Sequence, residues 1–196
     1  MKQANPIDCR QSRRLPGRIA VPTLVAAALL AAAGVRAGES GESAGGAEIL
    51  APFKRDLQAA LQAGMQTGVV EAVTVCQLQA PAIAEAFQRE GVRVGRASHK
   101  LRNPANAAPA WVQPILDEYL TAAAERAPRT VTLPGERAGY VEPIVLQPLC
   151  TACHGTGIAT EVAQRISELY PDDEAVGFAP GDLRGVFWAE YPADGG

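Results

Sequence analysis

The segment that most constrains this chain is Cys150-Thr151-Ala152-Cys153-His154, where two thiols and an imidazole fall within five residues. The rest of the fold has to leave room beside that short stretch for whatever the three side chains bind. A cysteine pair at this spacing has four chemical uses: a redox dithiol, a metal site, a disulfide, or attachment of a cofactor through two thioethers. Compartment and the remaining cysteines decide among them.

Arg10, Arg13, Arg14 and Arg18 precede an Ala/Leu/Val-rich stretch from Ile19 to Val35, which ends in the small-residue pattern Val35-Arg36-Ala37. Residues 1–37 therefore read as a secretory signal peptide, and the expected location is the periplasm. Leu15-Pro16-Gly17 lacks the apolar follow-up of twin-arginine export, and an uncleaved membrane anchor is the alternative. The 196 residues carry 18 basic and 21 acidic side chains; cleavage after Ala37 removes six and one of them, leaving 12 against 20, a net charge of −8. Nucleic acid and anionic membrane surfaces would repel such a protein, whereas a basic protein partner suits it. Cys9 leaves with the peptide, so the exported chain has three cysteines, Cys76, Cys150 and Cys153. In an oxidising compartment the odd thiol has to be buried, bonded to a cofactor or used chemically.

In an exported chain, Cys150 and Cys153 are placed to form thioethers to the two vinyl groups of one haem, with His154 beside them to ligate the iron. One covalently attached haem c is the expected cofactor. A thioredoxin-like dithiol would open a helix in a βαβ setting, whereas here Gly155 and Gly157 follow and nothing calls for His154. Zinc could take Cys76, Cys150, Cys153 and His154 on paper, but Cys153 and His154 are immediate neighbours and zinc sites usually bring two such pairs. A surface disulfide leaves Cys76 unexplained.

Candidates for the second axial ligand are Cys76, Met65 and His99. Met65 falls near the end of an amphipathic helix, where a core methionine is the commoner role, and His99 lies between Ser98 and Lys100 in a polar loop, where a solvated ring is expected. Cys76 falls on the apolar face of a helix. A thiolate there would stabilise ferric iron, lower the potential and loosen on reduction; the alternative is a small buried hydrophobe. For the haem propionates, the loop from Arg96 to Asn106 offers Arg96, Lys100, Arg102, Asn103 and Asn106, with Arg102 and Asn103 preferred. The alternative is that these charges are solvated and Asn103-Pro104 sets a turn.

Residues 38–48, beginning GESGESAGGA, read as a flexible leader, with the folded domain spanning 49–196. Phe53, Leu57, Leu61 and Met65 predict a first helix with Pro52 in its opening turn, and Val69, Val73, Cys76, Ile83 and Phe87 a second one, kinked or restarted at Pro81. A short strand at Val92–Val94, a loop from Arg96 to Pro109 and a third helix from Trp111 toward Arg126 follow. Thr130–Leu133 and Tyr140–Leu146 should form a hairpin with Pro143 at an edge or bulge, Thr160 should cap another helix, and Gly185–Tyr191 is the last strand. The pattern is α+β with an antiparallel sheet.

Four ordered blocks, AVTVCQLQAPAIAEAF around Cys76, LRNPANAAPAW from Leu101, YVEPIVLQPLCTACHG from Tyr140 and YPDDEAVGFAPGDLRGVFW from Tyr170, resemble the PAS-like family of single-haem c-type domains. Its members occur alone or as input modules of bacterial sensor kinases. The resemblance implies a PAS-like sheet with flanking helices, thioethers at Cys150 and Cys153, and His154 and Cys76 as the axial pair. The expected role is a redox or diatomic-gas sensor acting through an output protein, in which reduction frees a position for CO or NO; the alternative is a small electron carrier with a redox partner. Enzymatic activity is not expected, since a peroxidase needs a distal acid/base group for which only His99 is available.

Overall fold

The computed structural model describes residues 40–88, 91–122 and 126–193, with side chains from residue 45 onward. The expected signal peptide, 1–37, lies outside the described residues. No described helix is long and apolar enough to cross a membrane.

Four strands, β1 (Arg93–Ala97), β2 (Arg129–Leu133), β3 (Arg137–Val145) and β4 (Leu183–Pro192), form one sheet in the order β1-β4-β3-β2, antiparallel throughout. The β2–β3 hairpin turns at Gly135 and Glu136, both with positive φ. Pro143 sits in a central strand, yet β2 runs out at Val141, so beyond that residue one side of β3 is open and a missing N–H is tolerated. A register shift follows directly, between Ile144 and Val145.

Alternation along the strands sends two sets of side chains to two helical layers. Val94, Ala138, Tyr140, Ala189 and Tyr191 pack under α1 (Ser40–Thr67) against Leu50 and Phe53. Ala97, Val141, Val186 and Trp188 face α3 (Gln113–Thr121) and its buried Ile115, Leu116 and Tyr119. The helix expected to run toward Arg126 stops at Thr121.

The expected flexible leader is not one where the structure describes it. α1 is helical from Ser40, Leu50 is fully buried and Ala47 packs beside it, so the folded domain begins before Ile49. One of the glycines that read as disorder has a packing use: a Cβ on Gly46 would lie 2.4 Å from the Tyr140 side chain, so its absence lets α1 lie against β3. Pro52 accordingly falls inside the helix rather than in its first turn.

α2 (Val69–Ala86) folds back after Gly68, whose φ of 146° makes the corner, and continues through Pro81 without a break. Its side chains meet three environments in turn. Val73 packs with Val162 and Ile166 of α5 (Thr160–Leu169), Ile83 and Phe87 join the sheet cluster, and Cys76 lies between. Ala159, not Thr160, occupies the cap of α5, and no side chain caps it.

Gly185 of β4 pairs with Ile144 of β3, beside Arg184, which lines the pocket described below. Its φ is 154°, and a Cβ there would lie 2.2 Å from the Ala97 carbonyl oxygen. Gly185→Ala is expected to lower stability by about 1–3 kcal/mol from the backbone alone, more with the clash, read as a fall in the urea midpoint at unchanged slope.

Candidate cofactor site

The short helix α4 (Thr151–His154) carries Cys153 and His154 and follows directly on a 3-10 turn at Pro148–Cys150, which ends in Cys150 and where Pro148 has no N–H with which to extend a strand. Four residues of helix have little stability of their own. The backbone around them is held from outside: Phe178 N–H donates to the His154 carbonyl at 2.9 Å and Gly177 N–H to the Gly155 carbonyl at 3.0 Å.

A cavity of about 750 Å³ opens beside this turn, walled by the α1–α2 hairpin, by β1 and by the end of β3. All six residues expected to hold a cofactor, Cys76, Arg102, Asn103, Cys150, Cys153 and His154, line it. Cys76 comes from 74 positions upstream of Cys150, so only the tertiary fold brings the three sulfurs to one space. They do not converge on a point: among the described residues, no three His, Cys, Asp or Glu side chains are placed to hold a bare ion. Donors spread around a large cavity suit a broad cofactor better than zinc.

His154 is set for ligation. Its Nδ1–H donates to the Ala175 carbonyl at 2.7 Å, which leaves the Nε2 lone pair as the free end of the ring. Burial, reinforced by Arg102 and Arg184, lowers its pKa to about 3, so the imidazole is neutral at any physiological pH. Burial pushes the Cys76 thiol up while Arg96 and Arg102 pull it back, and Cys153 is likewise raised by burial. Without a metal, both remain thiols at neutral pH.

Arg102 lines the cavity, but its guanidinium is already engaged. Nε and Nη2 donate to both oxygens of Asp173 at 3.1 and 2.9 Å, and Nη2 also donates to the Cys153 carbonyl at 2.7 Å. Asp173 in turn accepts from Ala175 N–H at 3.0 Å, fixing the peptide whose carbonyl holds His154. The structure thus gives Arg102 the work of clamping the ligand turn rather than of meeting an anion. Asn103 accepts from Ala105 N–H at 2.9 Å as the cap of the Pro104–Asn106 turn, which leaves its amide NH2 as the free end.

Of the other candidates, Met65 lines the same cavity, whereas His99 does not. His99 is not the solvated ring expected: its Nδ1 is buried with no hydrogen-bond partner among the described residues, and its ring meets Phe178 edge-on at 5.8 Å. Sequence reasoning missed Asp173, Ala175 and Arg184. The signal that could have found them is the block from Tyr170 that carries the family resemblance, in which all three fall.

An antiparallel sheet flanked by helices, with a cysteine pair, a histidine and a distant thiol around one pocket, defines a PAS-like α+β domain with a built cofactor cavity. The chain belongs to the Tll0287-like family, whose sequence profile matches residues 23–192. Among solved structures it is similar to the cyanobacterial heme-protein Tll0287, with a TM-score of 0.53 and 27% identity over 73% of this chain and 92% of that one. No curated protein sequence matches it.

Proposed function

We propose that this is a periplasmic single-haem c-type protein that senses redox state or a small diatomic gas. The observation that carries the reading is the gathering of Cys76, Cys150, Cys153 and a correctly tautomerised His154 around one cavity. Cys150 and Cys153 would hold the haem through thioethers, and His154 Nε2 and the Cys76 thiolate would be the ligands of its iron. Haem supplies a one-electron couple and, where a ligand is released, an iron position for CO or NO.

The chain's own contribution is to make the Cys76 bond conditional. The segment of α2 carrying Cys76 runs from the Gly68 corner to Pro81, whose ring removes the N–H that would have bonded the carbonyl of Gln77, the residue next to Cys76. A helix segment bounded by a glycine corner and a missing hydrogen bond has two places to yield. Its shift would be the signal passed to an output protein.

A simple electron carrier is the second reading, favoured by Leu149, which lines the cavity beside Cys150 and is 63% exposed, an apolar rim of the kind a redox partner docks on. A carrier keeps both ligands in both oxidation states. An enzymatic role is not proposed, since His99, the candidate acid/base group, lies outside the cavity lining.

Full-length protein expressed with c-type maturation machinery tests this. Haem is expected to stay with the wild-type chain after acidic-organic extraction and to be lost from Cys150→Ser/Cys153→Ser; extraction from both alike would rule out covalent attachment. CO binding to the dithionite-reduced protein supports the sensor, and a six-coordinate reduced spectrum indifferent to CO supports the carrier.

A further inference from the structure

The pocket has an unusual charge balance. Arg93, Arg96, Arg102 and Arg184 all line it, and no Asp or Glu does. Arg93 is ion-paired with Glu190 at 3.7 Å. Asp173 neutralises Arg102 from behind, with side-chain exposures of 12% for the arginine and 7% for the aspartate. Two guanidinium groups are left without a counter-charge.

Arg96 is on β1, on the sheet face it shares with Val94, and finds no hydrogen-bond or ion-pair partner among the described residues. Arg184 uses only Nη1, donating to Ser98 Oγ at 2.6 Å and to the Lys100 carbonyl at 3.2 Å; its Nε and Nη2 are uncommitted. Burial lowers the pKa of both, that of Arg184 to about 10, and Arg102 and Arg96 add their repulsion to Arg184. Half-buried cations that repel each other are destabilising unless an anion belongs between them.

We propose that Arg96 and Arg184, rather than Arg102, bind the two carboxylates of the cofactor, so that the pocket is built for a ligand carrying a dianionic edge. This rests on the haem reading above. The charge count agrees with it: a thiolate and a porphyrin dianion cancel the three charges of ferric iron, and the two propionates then balance the two free guanidiniums. Arg96 and Arg184 come from β1 and β4, positions 88 residues apart in sequence, and a guanidinium fork matches a carboxylate with two parallel hydrogen bonds.

The test uses the haem-loaded full chain and its Arg96→Gln, Arg184→Gln and doubly substituted variants, with Arg96→Lys and Arg184→Lys beside them. Resonance Raman propionate-bending bands are expected to shift in each glutamine variant, and the midpoint potential to fall as positive charge is removed. The lysine variants should restore the potential while leaving the bending band shifted, a split that a merely structural role would not produce. They also read the same band if the glutamine variants fail to accumulate. A double variant with wild-type bending bands and wild-type potential overturns the assignment and leaves the haem reading standing. A wild-type chain with no covalent haem overturns both.

Discussion

Cys76→Ala is expected to abolish the thiolate features of the ferric absorption spectrum and to raise the midpoint potential. If the thiolate binds ferric iron about a hundredfold more tightly than ferrous iron, the rise is on the order of 120 mV at about 59 mV per tenfold for one electron. Cys76 lines the cavity from α2 with burial holding it as a thiol in the absence of iron, so only the metal would draw it into the charged form. Redox titration with the spectrum followed throughout gives both quantities at once. Ferric bands and potential equal to those of the wild type would remove Cys76 from the iron and, with it, the conditional-ligand mechanism.

Asp173→Ala should be the most destabilising single change near the site. Asp173 and Arg102 form an ion pair at 2.9 Å with little exposure on either side, and removing one member of such a pair leaves a buried charge that costs about 3–5 kcal/mol. The effect reaches His154, because Asp173 Oδ1 accepts from Ala175 N–H and the Ala175 carbonyl holds His154 Nδ1. The urea midpoint should fall by that free energy divided by the slope, and the ferric EPR signal should broaden as His154 loses its fixed orientation. Asp173→Asn, which keeps an oxygen for Ala175 N–H but drops the charge, should recover a narrow signal without recovering full stability. Equal stability of the alanine variant and the wild type would show that Arg102 finds another partner.

Much of the fold was legible locally. The four-residue spacing of Phe53, Leu57, Leu61 and Met65 produced one helix, as expected, but the helix serves two masters: Phe53 and Leu57 pack on the sheet, while Leu61 and Met65 line the cavity. The hairpin of β2 and β3 was readable because Pro134-Gly135 lies between two β-rich runs and its strands pair with their neighbours in sequence. The pairing of β1 with β4 was not, since Arg93 faces Glu190 across 97 positions and no local rule selects a partner at that distance. The leader was misread for a related reason. Gly45, Gly46 and Ala47 signal disorder by composition, and only the Tyr140 ring supplied by β3 turns the small size of Gly46 into a packing advantage.

At the site the division is similar. Cys150, Cys153 and His154 sit on one short stretch, so their candidacy for the site could be read from their spacing, and the odd count of cysteines already set Cys76 apart. Which cation does what depends on contacts made through space. Arg102 and Arg96 are equivalent by composition, yet Asp173 lies against one and not the other, and Arg184 arrives from a strand that the sequence places far from either. A motif of five residues is local and follows residue order; charge compensation is a sum over everything within a few ångströms, and the folded chain alone sets those distances.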